Sequence, residues 1–393
     1  MTAEDIVIVA AKRTPVGAFG GVLSGQKSPE LGAESIRAAV SASGLNPDQV
    51  SEVFMGCVLP AGVGQAPARQ AALGAGLSDG TPCTTVNKVC GSGMKSVMLG
   101  HDLLRAGSAD AVVAGGMESM SQAPYLLPKA RTGMRMGHGQ VLDHMLLDGL
   151  EDAYGAGAMG VLAQRTADEH GLTREAMDAF AATSVERAQS AVNSGAFDQE
   201  ITPMTLRDRK GETVIDRDEP PFKANIDKIP ALRPAFAKDG TLTAANSSSI
   251  SDGAAALVLM RASDAQAQGL TPLARIVAHA THARKPEEFT IAPIGAIEKA
   301  LAKAGWAAAD VDLFEINEAF AMVTMLAQQA LDLDPEKVNS HGGACALGHP
   351  IGASGARILV TLLHALQRHG KQRGLASLCI GGGEATAVAV ERL

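Results

Sequence analysis

Aromatic side chains are scarce in this chain: one Trp, two Tyr and nine Phe make up 3% of 393 residues. The interior must therefore be filled by Ala, Val, Leu, Ile and Met, side chains that suit close helix–sheet packing. Long apolar runs are missing too, which argues against a helical membrane span. There is no basic surplus: 34 Lys and Arg face 42 Asp and Glu, a net charge of −8, which argues against a surface that tracks nucleic-acid phosphates. The five cysteines, Cys57, Cys83, Cys90, Cys345 and Cys379, are odd in number and irregularly spaced, with no CxxC pair. No Cys/His group has the spacing of a zinc site, so reduced thiols and no metal are expected. The first residues, Met1 to Asp5, are acidic and lack the basic region of a secretory signal or the Arg-rich character of a transit peptide. A cytoplasmic enzyme is the expectation.

The length fits two or three domains. Short apolar runs alternate with amphipathic stretches of helical length, which predicts an α/β fold. Strands are predicted at Ile6–Ala10, Val53–Val58, Ala111–Ala114, Ala254–Met260, Leu375–Ile380 and Ala385–Val390. Helices are predicted at Pro29–Ser43, Gly93–Arg105, Arg174–Asn193, Ile294–Lys303, Ala319–Leu331 and Ala353–Arg368. Gly107, Gly195, Gly305 and Gly370 mark helix ends, where glycine takes the left-handed conformation easily.

A weak internal repeat organises these elements. Thr85-Val86-Asn87 leads to a glycine-rich turn with Cys90, a helix, then a strand ending in Gly115-Gly116. Lys337-Val338-Asn339 leads to a glycine-rich stretch with His349, a helix, then a strand ending in Gly381-Gly382-Gly383. The final strand Ala385–Val390 then matches Ala254–Met260, and the Met- and Gly-rich interval from Met117 to Ser251 reads as an insertion. The division expected is 1–120 plus 249–270 for the first half, 121–248 for the insertion and 271–393 for the second half.

Cys90 precedes a helix, where orphan N–H groups stabilise an anion and lower a thiol pKa. By itself it reads either as a nucleophile or as a small buried hydrophobe. A lone histidine is usually structural, but the symmetry between His349 and Cys90 favours a shared cleft. Cys379 closes an apolar strand beside three glycines and, on spacing alone, reads as a core cysteine. Asn317 reads as a helix N-cap. Cys57, Cys83 and Cys345 read as structural; His101, His364 and His369 read as solvated or packing groups.

Together, Val9–Pro15, Pro67–Ala72, Asn87–Met94, Gly115–Ser121, Asn317–Phe320, Gly348–Gly355 and Cys379–Gly383 resemble the thiolase family, in order and along the whole chain. The resemblance implies two βαβαβαββ halves in a layered α-β-α-β-α core, with an inserted loop domain. It also implies roles: Cys90 as the acylated nucleophile, His349 as the group that takes its proton, and Cys379 as the base at the α-carbon. Asn317 would hold a water that, with His349, forms one oxyanion hole; the N–H groups of Cys90 and Gly381 would form the other. Met159, Lys223, Phe236, Ser248, Ala319 and Phe320 would contact coenzyme A, which is a substrate; no cofactor is implied. The expected reaction is the reversible condensation of two acetyl-CoA to acetoacetyl-CoA and CoA, in a homotetramer built from dimers. Two departures bear on substrate: Ala158 stands where many short-chain members have His before Met159, and Glu384-Ala385-Thr386 follows the third glycine. Cleavage of longer 3-oxoacyl-CoA is therefore an alternative. A decarboxylating synthase is disfavoured by the second thiol, and an inactive CoA- or lipid-binding relative by the intact trio Cys90, His349 and Cys379.

Overall fold

Strand β1 (Ile6–Arg13) is buried along nearly its whole length, as expected of a strand covered by helices on both faces. It lies at the middle of a ten-stranded sheet in a computed structural model that describes Thr2, residues 4–208 and residues 211–393. The other strands are β2 (Gly17–Ala18), β3 (Glu52–Gly56), β4 (Cys83–Val86), β5 (Ala111–Ser119), β6 (Ser251–Arg261), β7 (Ala274–Ala283), β8 (Leu313–Ile316), β9 (Arg373–Ile380) and β10 (Glu384–Arg392). Their order is β8-β9-β10-β7-β1-β6-β5-β3-β4, with the short β2 paired to β6.

The two halves repeat one pairing scheme. In the first, β1, β6 and β5 are antiparallel neighbours, and β3 and β4 continue in parallel. In the second, β7, β10 and β9 are antiparallel and β8 continues in parallel. The counterpart of β4 shrinks to one bridge between Phe314 and Val338. The halves join where Val7 and Ile8 of β1 pair with Arg275 and Ala274 of β7. Residues 120–250 lie between the paired strands β5 and β6.

Alternation along the strands divides the core. One set, including Val7, Val53, Val113 and Val258, faces the helices Ser28–Ser43 and Pro67–Gly74. The other set, including Ile8, Val112 and Leu257 with Ala376, Leu378 and Val388 of the second half, closes around helices Ser92–Arg105 and Ile351–Arg368. Phe314, Leu375 and Ala387 face the outer helix Ala292–Ala304. The layered α-β-α-β-α core follows directly from these three apolar clusters.

The central helices cross at glycines. A Cβ on Gly355 would lie 2.5 Å from Met94 N, and one on Gly93 would lie 2.8 Å from Ala356 N. Backbone cannot yield there, so only glycine permits the crossing. It brings the N-terminal turns of the two helices, which follow Cys90 and His349, into one place. The glycines at 107, 195, 305 and 370 take φ between 62° and 73°, as expected of left-handed helix ends. One predicted helix begins late, at Ala321 rather than Ala319. Phe320 is held extended by a bridge to Ser247, and Ala321 N–H donates to Asn246 O.

Candidate active site

Cys90 sits on a strained turn. Val89 takes φ +46°, unfavourable for a β-branched residue, and its N–H donates to Asn87 Oδ1 at 3.0 Å. Ser92 Oγ locks the turn by accepting from Lys88 N at 2.8 Å and donating to Val89 O at 2.6 Å. A Cβ on Gly91 would meet Ile380 Cδ1 at 2.3 Å, so the end of β9 presses directly on this turn. Beyond Ile380, the Gly381 N–H is aimed at the Cys90 sulfur, as is the N–H of Cys90 itself.

The helix start does not leave this thiol ionised. Cys90 is half-buried, and burial pushes it up to about 11; the two N–H donors offset only part of that cost. Burial and the neighbouring Cys90 hold the Cys379 thiol well above its ordinary value. Cys379 is only 1% exposed, packed in an apolar cluster with Met159, Phe236, Ala319 and Phe320. A reacting group must reach it past these side chains.

His349 follows Gly348, whose φ +92° and ψ 171° only glycine adopts easily; a Cβ there would also strike Ser251 Oγ at 2.1 Å. The His349 N–H donates to Ser249 O at 3.0 Å. Its Nδ1 lies 2.6 Å from Ser354 Oγ, and that hydroxyl donates its only proton to Pro350 O at 2.9 Å. Nδ1 must then carry the ring proton, leaving Nε2 as a lone pair. Nε2 is buried with no partner in the described residues. Burial, reinforced by the charge of Arg357, holds the imidazole down to about 3, so it rests neutral.

Asn317 is not an N-cap. That position belongs to Phe320, whose side chain caps nothing. Asn317 N–H donates at 3.0 Å to the carbonyl of Ser377 in β9, the strand that carries Cys379, and its Nδ2 approaches His349 Nδ1 at 3.4 Å. Its buried Oδ1 lacks a partner among the described residues. Cys90, Cys379 and Gly381 thus form one group and Asn317 and His349 another, and in the second group two buried polar atoms, Asn317 Oδ1 and His349 Nε2, have no partner among the described residues.

Five of the six positions expected to meet coenzyme A gather nearby. Phe236 and Phe320 meet edge to face, with ring centroids 6.0 Å apart, and Phe236 covers Gly160. Met159 Sδ lies 3.9 Å from the Cβ position of Gly381. Ser248 N–H donates to Ala319 O at 3.0 Å. Lys223 stays outside this apolar group, exposed and paired with Glu219 at 3.1 Å.

Several supports were not singled out from the sequence. Buried Glu118 accepts from the N–H groups of Val58, Leu59 and Gly352, tying a loop to the start of helix Ile351–Arg368; burial pushes its carboxyl up to about 7. Glu318 accepts from Ser184 Oγ, Asn339 Nδ2 and Cys345 N. Lys88 pairs with Glu384, joining the Cys90 turn to the glycine loop. Glu118, Glu318 and Lys88 lie within the quoted motifs and Glu384 just after one; nothing else in the sequence marks their roles, because their partners are remote.

The model described as "Thiolase, N-terminal domain" matches residues 6–263, and "Thiolase, C-terminal domain" matches residues 270–392. The chain belongs to the thiolase family. An acetyl-CoA acetyltransferase of Escherichia coli is 52% identical to this thiolase over 392 residues, covering 99% of this chain and 100% of its own. One from Cupriavidus necator is 51% identical over 390 residues, covering 99% of each. The crystal structure of the Bacillus anthracis acetyl-CoA acetyltransferase superposes with a TM-score of 0.97 at 42% identity, covering 99% of both chains.

Proposed function

We propose that this thiolase reversibly joins two acetyl-CoA into acetoacetyl-CoA and CoA, through an acetyl thioester on Cys90. The observation that carries this reading is the contact of the Cys90 turn with the end of β9, which sets a second thiol and the Gly381 N–H beside the first.

In synthesis, His349 Nε2 takes the Cys90 proton, the thiolate attacks the acetyl carbonyl, and coenzyme A leaves with the proton. Cys379 then passes its proton to the vacated His349 Nε2, the resulting thiolate removes an α-proton from the second acetyl-CoA, and the carbanion attacks acyl-Cys90. Acetoacetyl-CoA departs, Cys90 leaves as a thiolate that takes the proton back from His349 Nε2, and Cys379 keeps the α-proton, so both thiols are restored. A high thiol pKa suits Cys379 to this step, because a thiolate that is costly to form is a strong base. The N–H groups of Cys90 and Gly381 stabilise one oxyanion, and a water on Asn317 with the His349 Nε2–H, present while the imidazole holds the Cys379 proton, stabilises the other, at roughly 3–4 kcal/mol per donor. Met159, Phe236, Ser248, Ala319 and Phe320 hold the pantetheine and acyl portions, and Lys223 meets the nucleotide end. Thiol, imidazole and amide groups suffice for every step, so no metal or redox cofactor enters the chemistry.

Ala158, half-buried before Met159, favours a second reading in which longer 3-oxoacyl chains are cleaved. Thiolysis rates across chain lengths separate the two readings.

The proposed units are 1–120 with 249–270, 121–248 and 271–393. No helix among the described residues is long and apolar enough to cross a membrane. A cytoplasmic homotetramer, a dimer of dimers, is proposed, with Pro124–His144 as contact; Tyr125, Met136 and Val141 expose large apolar side chains there.

Incubation with acetyl-CoA, acid quench and peptide mass analysis should place an acetyl group on Cys90. Cys379→Ser should still acylate slowly while losing condensation. Acylation elsewhere would refute the assignment, and an unchanged condensation rate would remove Cys379 as base.

A further inference from the structure

Away from this site, two imidazoles and one carboxylate meet between the halves. His101 and Asp102 lie on helix Ser92–Arg105, which begins just after Cys90, and His279 lies on β7 in the second half. His279 Nε2 is 3.2 Å from His101 Nδ1 and 2.9 Å from Asp102 Oδ1, and His101 Nδ1 is 3.0 Å from the same oxygen. The rings stand at 84° with centroids 4.8 Å apart, so their nitrogens aim at one point from different directions.

Protons alone cannot satisfy this triangle. If both nitrogens donate to Asp102, two N–H groups face each other across 3.2 Å; if one nitrogen donates to the other, the acceptor's lone pair faces the carboxylate. Every assignment leaves one edge with like against like. A cation reverses the problem, because all three atoms can then turn lone pairs inward. The edges also fit: tetrahedral coordination at bonds of about 2.0–2.1 Å separates ligand atoms by about 3.3 Å, close to the spacings here.

We propose that His101, Asp102 and His279 bind a borderline divalent ion of the zinc type, with water in the fourth position. Two imidazoles and a carboxylate match the ligand preferences of that ion. Burial keeps both imidazoles toward the neutral form that ligates. Asp102 is exposed, giving the ion a path from solvent. Lys95, Arg105 and Lys303 lie near enough to weaken the attraction for a cation, and Lys303 Nζ donates to His279 O at 2.9 Å. The bound ion clips the nucleophile helix to the first strand of the other half and stabilises the folded chain by mass action. It takes no part in the acyl chemistry.

The test uses untagged full-length protein, stripped with chelator and dialysed, titrated with zinc chloride and separately with cobalt chloride. Expected are about one ion per chain, a rise in Tm, and the visible bands of four-coordinate cobalt without the near-ultraviolet charge transfer of a cobalt thiolate. His101→Gln and His279→Gln should each weaken binding by at least the roughly tenfold that losing even an outer-shell partner costs. Their metal-free Tm and thiolysis activity should stay near those of the parent, which shows that the fold survives. Absence of binding, a thiolate band from the active-site cysteines, or equal affinity in a folded variant of either histidine would overturn the proposal.

Discussion

In the first half, Asn87 precedes the central helix on an exposed turn and accepts a single backbone N–H, that of Val89. In the second, Asn339 occupies the matching place but is buried at φ +49° and holds Ile316 N, Ile316 O and Glu318 Oε1. The helices differ likewise. Eight of 14 residues are buried in Ser92–Arg105 against 15 of 18 in Ile351–Arg368, so the second helix is the fixed one on which the first is laid. One scaffold repeated twice therefore ends in a thiol on a comparatively open turn and an imidazole in a closed one. In the roles proposed above, the acylated sulfur must admit two successive acyl groups, whereas the base needs only one orientation and one proton.

Breaking the helix crossing should have the largest effect. Gly355→Ala drives a Cβ into the backbone of Met94 and should cost at least the upper end of the about 1–3 kcal/mol typical of overpacking, with activity lost; a urea midpoint near that of the parent would contradict the crossing. Asn339→Ala should follow, at about 2–3 kcal/mol, because buried Glu318 and Ile316 lose partners, whereas Asn87→Ala should cost under about 1 kcal/mol. Equal costs in denaturant melts would erase the contrast between the halves.

Ser354→Ala frees His349 Nδ1 and lets the ring choose the wrong tautomer. We expect kcat to fall by roughly 10- to 100-fold, or about 1.4–2.7 kcal/mol of barrier, with KM and Tm little changed; an unaltered kcat would show that another group sets the tautomer. The smallest effect concerns the resting charge. With its pKa raised toward 11, Cys90 stays a thiol at neutral pH, so iodoacetamide alkylation followed by peptide mass should keep accelerating above pH 9. A plateau near pH 8 would mean that the thiolate is already stabilised in the free enzyme.

Much of this was legible from residue order. Short apolar runs located six of the ten sheet strands but not β2, β4, β7 or β8, glycines at 107, 195, 305 and 370 marked helix ends, and the Asn87/Cys90 and Asn339/His349 repeat exposed the two halves. Asn317 was misread as a cap because an Asn ahead of a helix most often is one; its contact with His349 joins residues 32 positions apart. The same blindness hid the Cys90 pKa, since a helix start is visible in sequence and the desolvating neighbours are not.

Element order and the doubled α/β plan are written in the residues themselves, because period, turn chemistry and side-chain type are local properties, and the family motifs add the candidate reactive groups. Which groups meet is set by packing. Ile380 against Gly91, Asn317 beside His349, and His101 and Asp102 with His279 are contacts between segments that chain order separates and packing brings together. Burial, proton position and mutual orientation arise from those contacts, so they exist only once the two central helices have crossed at their glycines.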